Sequence, residues 1–170
     1  MLKGAGILLI LAGAYGFGSY LCAYLKHHLE QLTECREIFA QMDACREYLR
    51  LPYAELLRKS AGGKSKILAD ILQEVADEME QNRNADAGVL WEEAFSKRKK
   101  QLLIREEETE LLLALARSLM LEGDHTQVAK IYFMQLEDKI QRAMEEKKEK
   151  QKLYRAISVL GGLFLVVLLL

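Results

Sequence analysis

"GAGILLILAGAYGFGSYLCAYL", residues 4–25, carries no charged side chain. Twenty-two residues rising about 1.5 Å each make a helix of roughly 33 Å, the thickness of a bilayer's hydrocarbon core. The stretch reads as a membrane-spanning helix. Lys3 ahead of it also suits a secretory signal peptide, but the apolar run is longer than the about 7–15 residues of a signal's hydrophobic region. Leu21, just before Cys22, is too large for a lipoprotein cleavage site. An uncleaved anchor is the expectation.

The other end reads "KLYRAISVLGGLFLVVLLL", residues 152–170, and only its last fifteen residues are free of charge, about 22 Å of helix. The deficit is made up at the interface. Lys152 and Arg155 can snorkel their charges out of the hydrocarbon, and Tyr154 suits the headgroup level, so these three are the expected membrane-interface residues. A buried core helix is the competing reading, but the closing Leu and Val residues offer no polar face to water. The expected organisation is an N-terminal transmembrane helix over 1–25, a helical bundle over 26–152 and a C-terminal transmembrane helix over 153–170.

Charge sets the expected orientation. Lys147, Lys148, Lys150, Lys152 and Arg155 precede the second span, Lys26 and Arg36 follow the first, and Lys3 alone lies beyond either. Positive flanks favour the cytoplasmic side, which predicts a cytoplasmic bundle in the cell membrane. An exported, tethered domain is the alternative. The cysteines agree with a reducing compartment: Cys22, Cys35 and Cys45 are odd in number, with no C-x-x-C pair and no histidine at ligand spacing, so neither a disulfide frame nor a metal site is expected.

The 170 residues are 51% hydrophobic with a net charge of -1, which excludes a disordered chain and gives no reason to expect nucleic acid. The basic run at 97–100 is answered by "EEETE" at 106–110. Pro52 is the single proline, so nothing from 64 to 152 obliges a helix to break, and an all-α fold follows.

Leu32, Cys35, Phe39, Met42, Cys45 and Leu49 recur at three- and four-residue steps, extending the first span as an amphipathic helix to about Arg50. A reactive thiol pair is the less economical reading, since one apolar stripe explains both cysteines. "AGGKS" at 61–65 looks like the end of a phosphate-binding loop. It fails because Arg58 stands where the motif needs glycine and no strand precedes it, so the glycines close one short helix and Lys64 and Ser65 open the next. That helix aligns Ile67, Ile71, Val75 and Met79 beside Leu68, Leu72 and Ala76. A further helix turns Leu90, Trp91, Ala94, Phe95 and Leu102 inward, with Trp91 and Phe95 as core anchors rather than a ligand platform. From Arg105 a helix begins with acidic residues at its positive end and becomes apolar nearly all round. The last helix carries Val128, Tyr132, Leu136, Ile140 and Ala143 on one stripe and passes through a charged stalk, where Glu146 and Lys150 stand at i,i+4.

"LEGDHTQ", 121–127, places an aspartate, a histidine and a threonine together where proton-transfer or metal chemistry would need them. A hinge explains it better. Gly123 closes one helix, Asp124 caps the next, and Gln127 completes a capping box before the apolar run. No catalytic, cofactor or metal residue is expected; His125 alone lacks a role.

Taken with the two spans, the "LWEEAF" segment at 90–95, the Gly123, Asp124 and Gln127 turn, and the "KLYR" and "LGGL" close, the chain resembles the stage III sporulation protein AB family of endospore-forming Firmicutes. The resemblance implies a non-enzymatic membrane component of the secretion-like complex between mother cell and forespore. It implies as partners a sporulation secretion-type ATPase, further membrane proteins of the complex and other copies of itself, and a place in the mother-cell membrane around the forespore. It also implies a bundle like the cytoplasmic domain of the type II secretion platform protein. The alternative is a membrane-anchored regulatory or ligand-binding helical protein unrelated to secretion.

Overall fold

A computed structural model describes residues 2–49, 51–82, 85–120 and 126–169, and among these there are six α-helices and no strand. They are α1 (Leu2–Leu49), α2 (Tyr53–Ala61), α3 (Lys66–Gln81), α4 (Ala87–Lys97), α5 (Glu106–Met120) and α6 (Thr126–Leu169). The chain divides into two units, one of Met1–Leu29 with Gln141–Leu170 and one of Glu30–Ile140. Helices α1 and α6 each contribute to both.

The first unit holds the apolar ends. Both α1 and α6 contain a stretch long and apolar enough to cross a membrane, and only 6% of either apolar window is buried within the protein. A soluble core helix of that composition is mostly buried. Leu8, Leu9, Phe17, Leu160, Phe164 and Leu168 instead point outward, so lipid is the surrounding that removes them from water. Gly161 and Gly162 do not interrupt α6, because the intrahelical ladder satisfies its own backbone where no water competes.

The second unit is a helical bundle in which α2 packs on α3, α3 on α4 and α4 on α5. The α1 stripe read from the sequence is buried at Leu32, Cys35, Phe39 and Met42, joined by Ile38, while Cys45 is half-exposed at the stripe's end. Along α3 the buried stripe is Leu68, Ile71, Leu72, Val75 and Ala76; Ile67 and Met79, at its two ends, are half-exposed. Helix α5 buries Leu111, Leu112, Leu115, Ala116 and Leu119, the several-sided contact its composition demands.

Two expectations need correction. Helix α4 ends at Lys97 rather than running on to Leu102, although Leu102 is buried in the connection that follows. No breaker residue stops it. Glu74 of α3 receives Lys97 at 2.6 Å and Arg98 at 2.5 Å, and Arg98–Gln101 form a turn in which Gln101 N–H donates to the Arg98 carbonyl. On α6 the buried stripe passes through Ala129, Leu136, Ile140 and Ala143, leaving Val128 exposed and Tyr132 half-exposed. A helix turns 3.6 residues per cycle, so a stripe extrapolated backward in steps of four drifts off the buried face.

Glue between elements comes largely from α1. Its Glu34 accepts the Ser65 N–H ahead of α3, where the Ser65 side chain itself makes no cap. Gln31 accepts the Leu103 N–H at 2.8 Å, and Arg46 donates to the Leu119 carbonyl near the end of α5 at 3.1 Å. These are backbone groups that helix ends and loops leave open. Local caps complete the set: Asp86 accepts from Gly88 N–H and Val89 N–H at the start of α4, and buried Glu108 accepts from Arg105 N–H at 2.7 Å. Gly63, at φ +76°, takes the left-handed turn between α2 and α3 that other residues resist.

The Glu74 contacts have a pH signature. Hydrogen bonds from Lys97 first and then Arg98 hold its carboxyl below the usual 4.5, against the opposing effect of burial. A group whose pKa is lowered by folding stabilises fully above the unfolded value and loses that contribution as pH falls through the folded one. Glu74→Gln is expected to cost about 0.5–1 kcal/mol at neutral pH. The gap to wild type should narrow as pH is lowered from neutral through the carboxylate range, measured by urea unfolding; a gap that does not change with pH contradicts the assignment.

Candidate functional site

Gly123, Asp124 and His125 lie outside the described residues, and so the proposed cap does too. Helix α6 begins at Thr126, with Gln127 exposed in its first turn. Among the described residues no group of three or more His, Cys, Asp or Glu is placed to hold a metal ion.

Trp91 and Phe95 sit at the centre of the bundle, 2% and 3% exposed. The Trp91 ring centroid is 5.4 Å from Phe39 of α1 and 5.9 Å from Phe95, both tilted, so one indole joins α4 to α1. Its N–H faces the buried Tyr53 hydroxyl of α2 without closing a well-formed hydrogen bond. Burial raises the pKa of that hydroxyl, and burial followed by Glu34 and Glu108 raises that of the Cys35 thiol. A thiol kept protonated in this way is packing material and not a nucleophile.

The membrane ends carry a second ordered constellation, which the sequence did not single out. Ala14 and Gly18 are four apart on α1; Ser158 and Gly162 are four apart on α6. A Cβ placed on Gly18 would stand 2.9 Å from the Ser158 Cβ and 3.6 Å from the Tyr154 carbonyl oxygen, and one on Gly162 would stand 3.0 Å from the Ala14 Cβ. Gly18 meets Ser158 while Ala14 meets Gly162, so the two spans are antiparallel and in contact through small residues. Such residues let backbones approach closely where lipid gives helices no hydrophobic reason to associate. Farther along, the Cys22 thiol reaches the Gln151 carbonyl at 4.0 Å. The one available signal was the four-residue spacing of small residues in each span, and it gains meaning only once the register is known. Of the expected interface residues, Lys152 and Arg155 are exposed and Tyr154 is half-exposed. In the stalk, Lys150 and Glu146 pair at 2.5 Å.

The fold has a solved counterpart. A structure of a stage III sporulation protein AB (SpoIIIAB) superposes with a TM-score of 0.66 at 16% identity, covering 72% of this chain and 98% of that one. At that identity the likeness concerns the fold. No curated protein matches the chain in sequence. The family described as stage III sporulation protein AB matches residues 3–170, which is nearly the whole length and includes both apolar ends. The chain therefore belongs to the stage III sporulation protein AB family, membrane proteins of that stage of spore formation.

Proposed function

We propose that the chain is a structural platform in a secretion-like channel complex of the sporulating cell, coupling a cytoplasmic ATPase to membrane partners, without an active site of its own. What supports this reading above all is that α1 and α6 are each one helix belonging both to the membrane unit and to the bundle. Each of these helices therefore links the bundle to the membrane segment by continuous helical backbone. By the resemblance, the bundle plays the part of the platform protein of type II secretion systems and the membrane is that of the mother cell.

The test is complementation of a deletion strain in a spore-forming host, scored as heat-resistant spores. Wild type should restore them. Glu149→Pro, which breaks α6 at an exposed stalk position at a local cost of about 3 kcal/mol or more, should fail to restore them while still reaching the membrane. Full spore yield in the deletion strain, or full rescue by the proline variant, sinks the platform reading. Orientation is read at Cys45, since Cys35 is buried and Cys22 lies in the spanning segment. An impermeant thiol reagent should label Cys45 only after permeabilisation; labelling of intact cells contradicts a cytoplasmic bundle.

A further inference from the structure

The geometry points to a binding site for one anionic phospholipid in a groove between the two spanning helices, its phosphate on Arg155 and an acyl chain lying along the groove toward Leu11. The cavity is about 720 Å³, within the range of ordinary ligand sites. Its lining is graded. Arg155, Cys22, Ser19 and Ser158 stand at one end, and Leu11 and Leu163 at the other. A phospholipid has the same gradient over the same length. From the level of Arg155 to that of Leu11 is about ten residues of α1, or about 15 Å, which is half of a hydrocarbon core and hence one leaflet.

The register explains why this arginine needs a partner. Ser158 is level with Gly18, and the Gln151 carbonyl is near Cys22. Arg155, between them on α6, is therefore level with uncharged residues of α1, about one turn below Leu25. No carboxylate pairs with it among the described residues, and it faces the groove. A guanidinium at that depth takes a phosphate by two parallel N–H donors. Exposed Lys148 and Lys152 lie seven and three residues before Arg155, so all three share one face of α6, and among the described residues neither lysine is ion-paired. The stripe leads a negatively charged headgroup to the mouth of the groove. A solvated basic stalk accounts for the two lysines but not for a graded groove that ends at an arginine.

The experiment uses the full chain reconstituted in phosphatidylcholine bilayers containing either spin-labelled phosphatidylglycerol or spin-labelled phosphatidylcholine, and reads the motionally restricted fraction of each. Wild type should retain phosphatidylglycerol several-fold more strongly. Arg155→Gln should reduce that preference about fivefold, the contribution of one basic residue near an anionic surface, and Arg155→Lys should keep part of it. Ser19→Phe, which fills the groove from an exposed position and leaves every charge in place, should also reduce it. The proposal is overturned if Arg155→Gln leaves the preference intact. It is equally overturned if only Lys148→Gln and Lys152→Gln matter while Ser19→Phe does not, which is general surface attraction. Ready Cys22 to Cys22 crosslinking between copies in wild type would give the groove to a second protein helix and also overturn it. None of these outcomes depends on the platform role, because spore formation is not measured.

Discussion

Replacing Trp91 by alanine is expected to destabilise the bundle by about 3–5 kcal/mol, the usual cost of deleting a large aromatic from a core. Three features put it at the high end. The side chain is among the largest that are fully buried, it packs at a tilt against Phe39 and Phe95, and the Phe39 contact connects α4 with α1. In a protein of this size the loss corresponds to a fall in melting temperature of about 10 °C or more, read by circular dichroism of the full chain in detergent. Trp91→Phe should cost much less, since it keeps a ring against Phe39 and removes an N–H that forms no well-made hydrogen bond. A shift below about 3 °C for the alanine variant contradicts the anchoring role.

The ease of seeing Trp91 in the sequence, against the difficulty of seeing what surrounds it, separates two kinds of information. Burial along a helix follows from spacing, and Leu32, Phe39, Ile71 and Val75 obey it because each helix has one dominant neighbouring face. The same logic names two apolar ends, since length and lack of charge suffice. Tertiary caps have no such period. Glu34 finds Ser65, Gln31 finds Leu103 and Arg46 finds Leu119 across separations of 31, 72 and 73 residues. Nothing near these polar residues marks them as anything but a solvated face. The end of α4 is similar: its stop is an ion pair with another helix, in a segment whose composition alone would have continued. As for the membrane pair, glycine in an apolar span is ambiguous until a partner residue is known, and Gly16, with open space around it, is two residues from Gly18, which has none.

That contrast between neighbours predicts opposite outcomes for one chemical change. Glycine to alanine inside a helix ordinarily stabilises it by about 1 kcal/mol through backbone entropy, and Gly16→Ala should follow that rule because nothing lies within 4 Å of the added methyl. Gly18→Ala should reverse it. The methyl would approach the Ser158 Cβ to 2.9 Å; rotating the hydroxyl away does not relieve a contact with the carbon to which it is attached. The helices must therefore separate, at about 1–3 kcal/mol. A cysteine pair at positions 14 and 162, in a chain whose native cysteines are replaced by serine, reports this directly, because their Cβ atoms lie close enough for a disulfide after small adjustment. Disulfide formation in membranes should be unchanged or faster with Gly16→Ala and about fivefold or more slower with Gly18→Ala, as the lower bound of that penalty implies. Adding Ser158→Gly removes the obstructing carbon, leaving the Tyr154 carbonyl at 3.6 Å as the nearest remaining contact, and should restore the rate. If Gly18→Ala crosslinks as fast as Gly16→Ala, the spans do not meet at these residues. If Ser158→Gly fails to rescue it, the slower rate has a cause other than this contact.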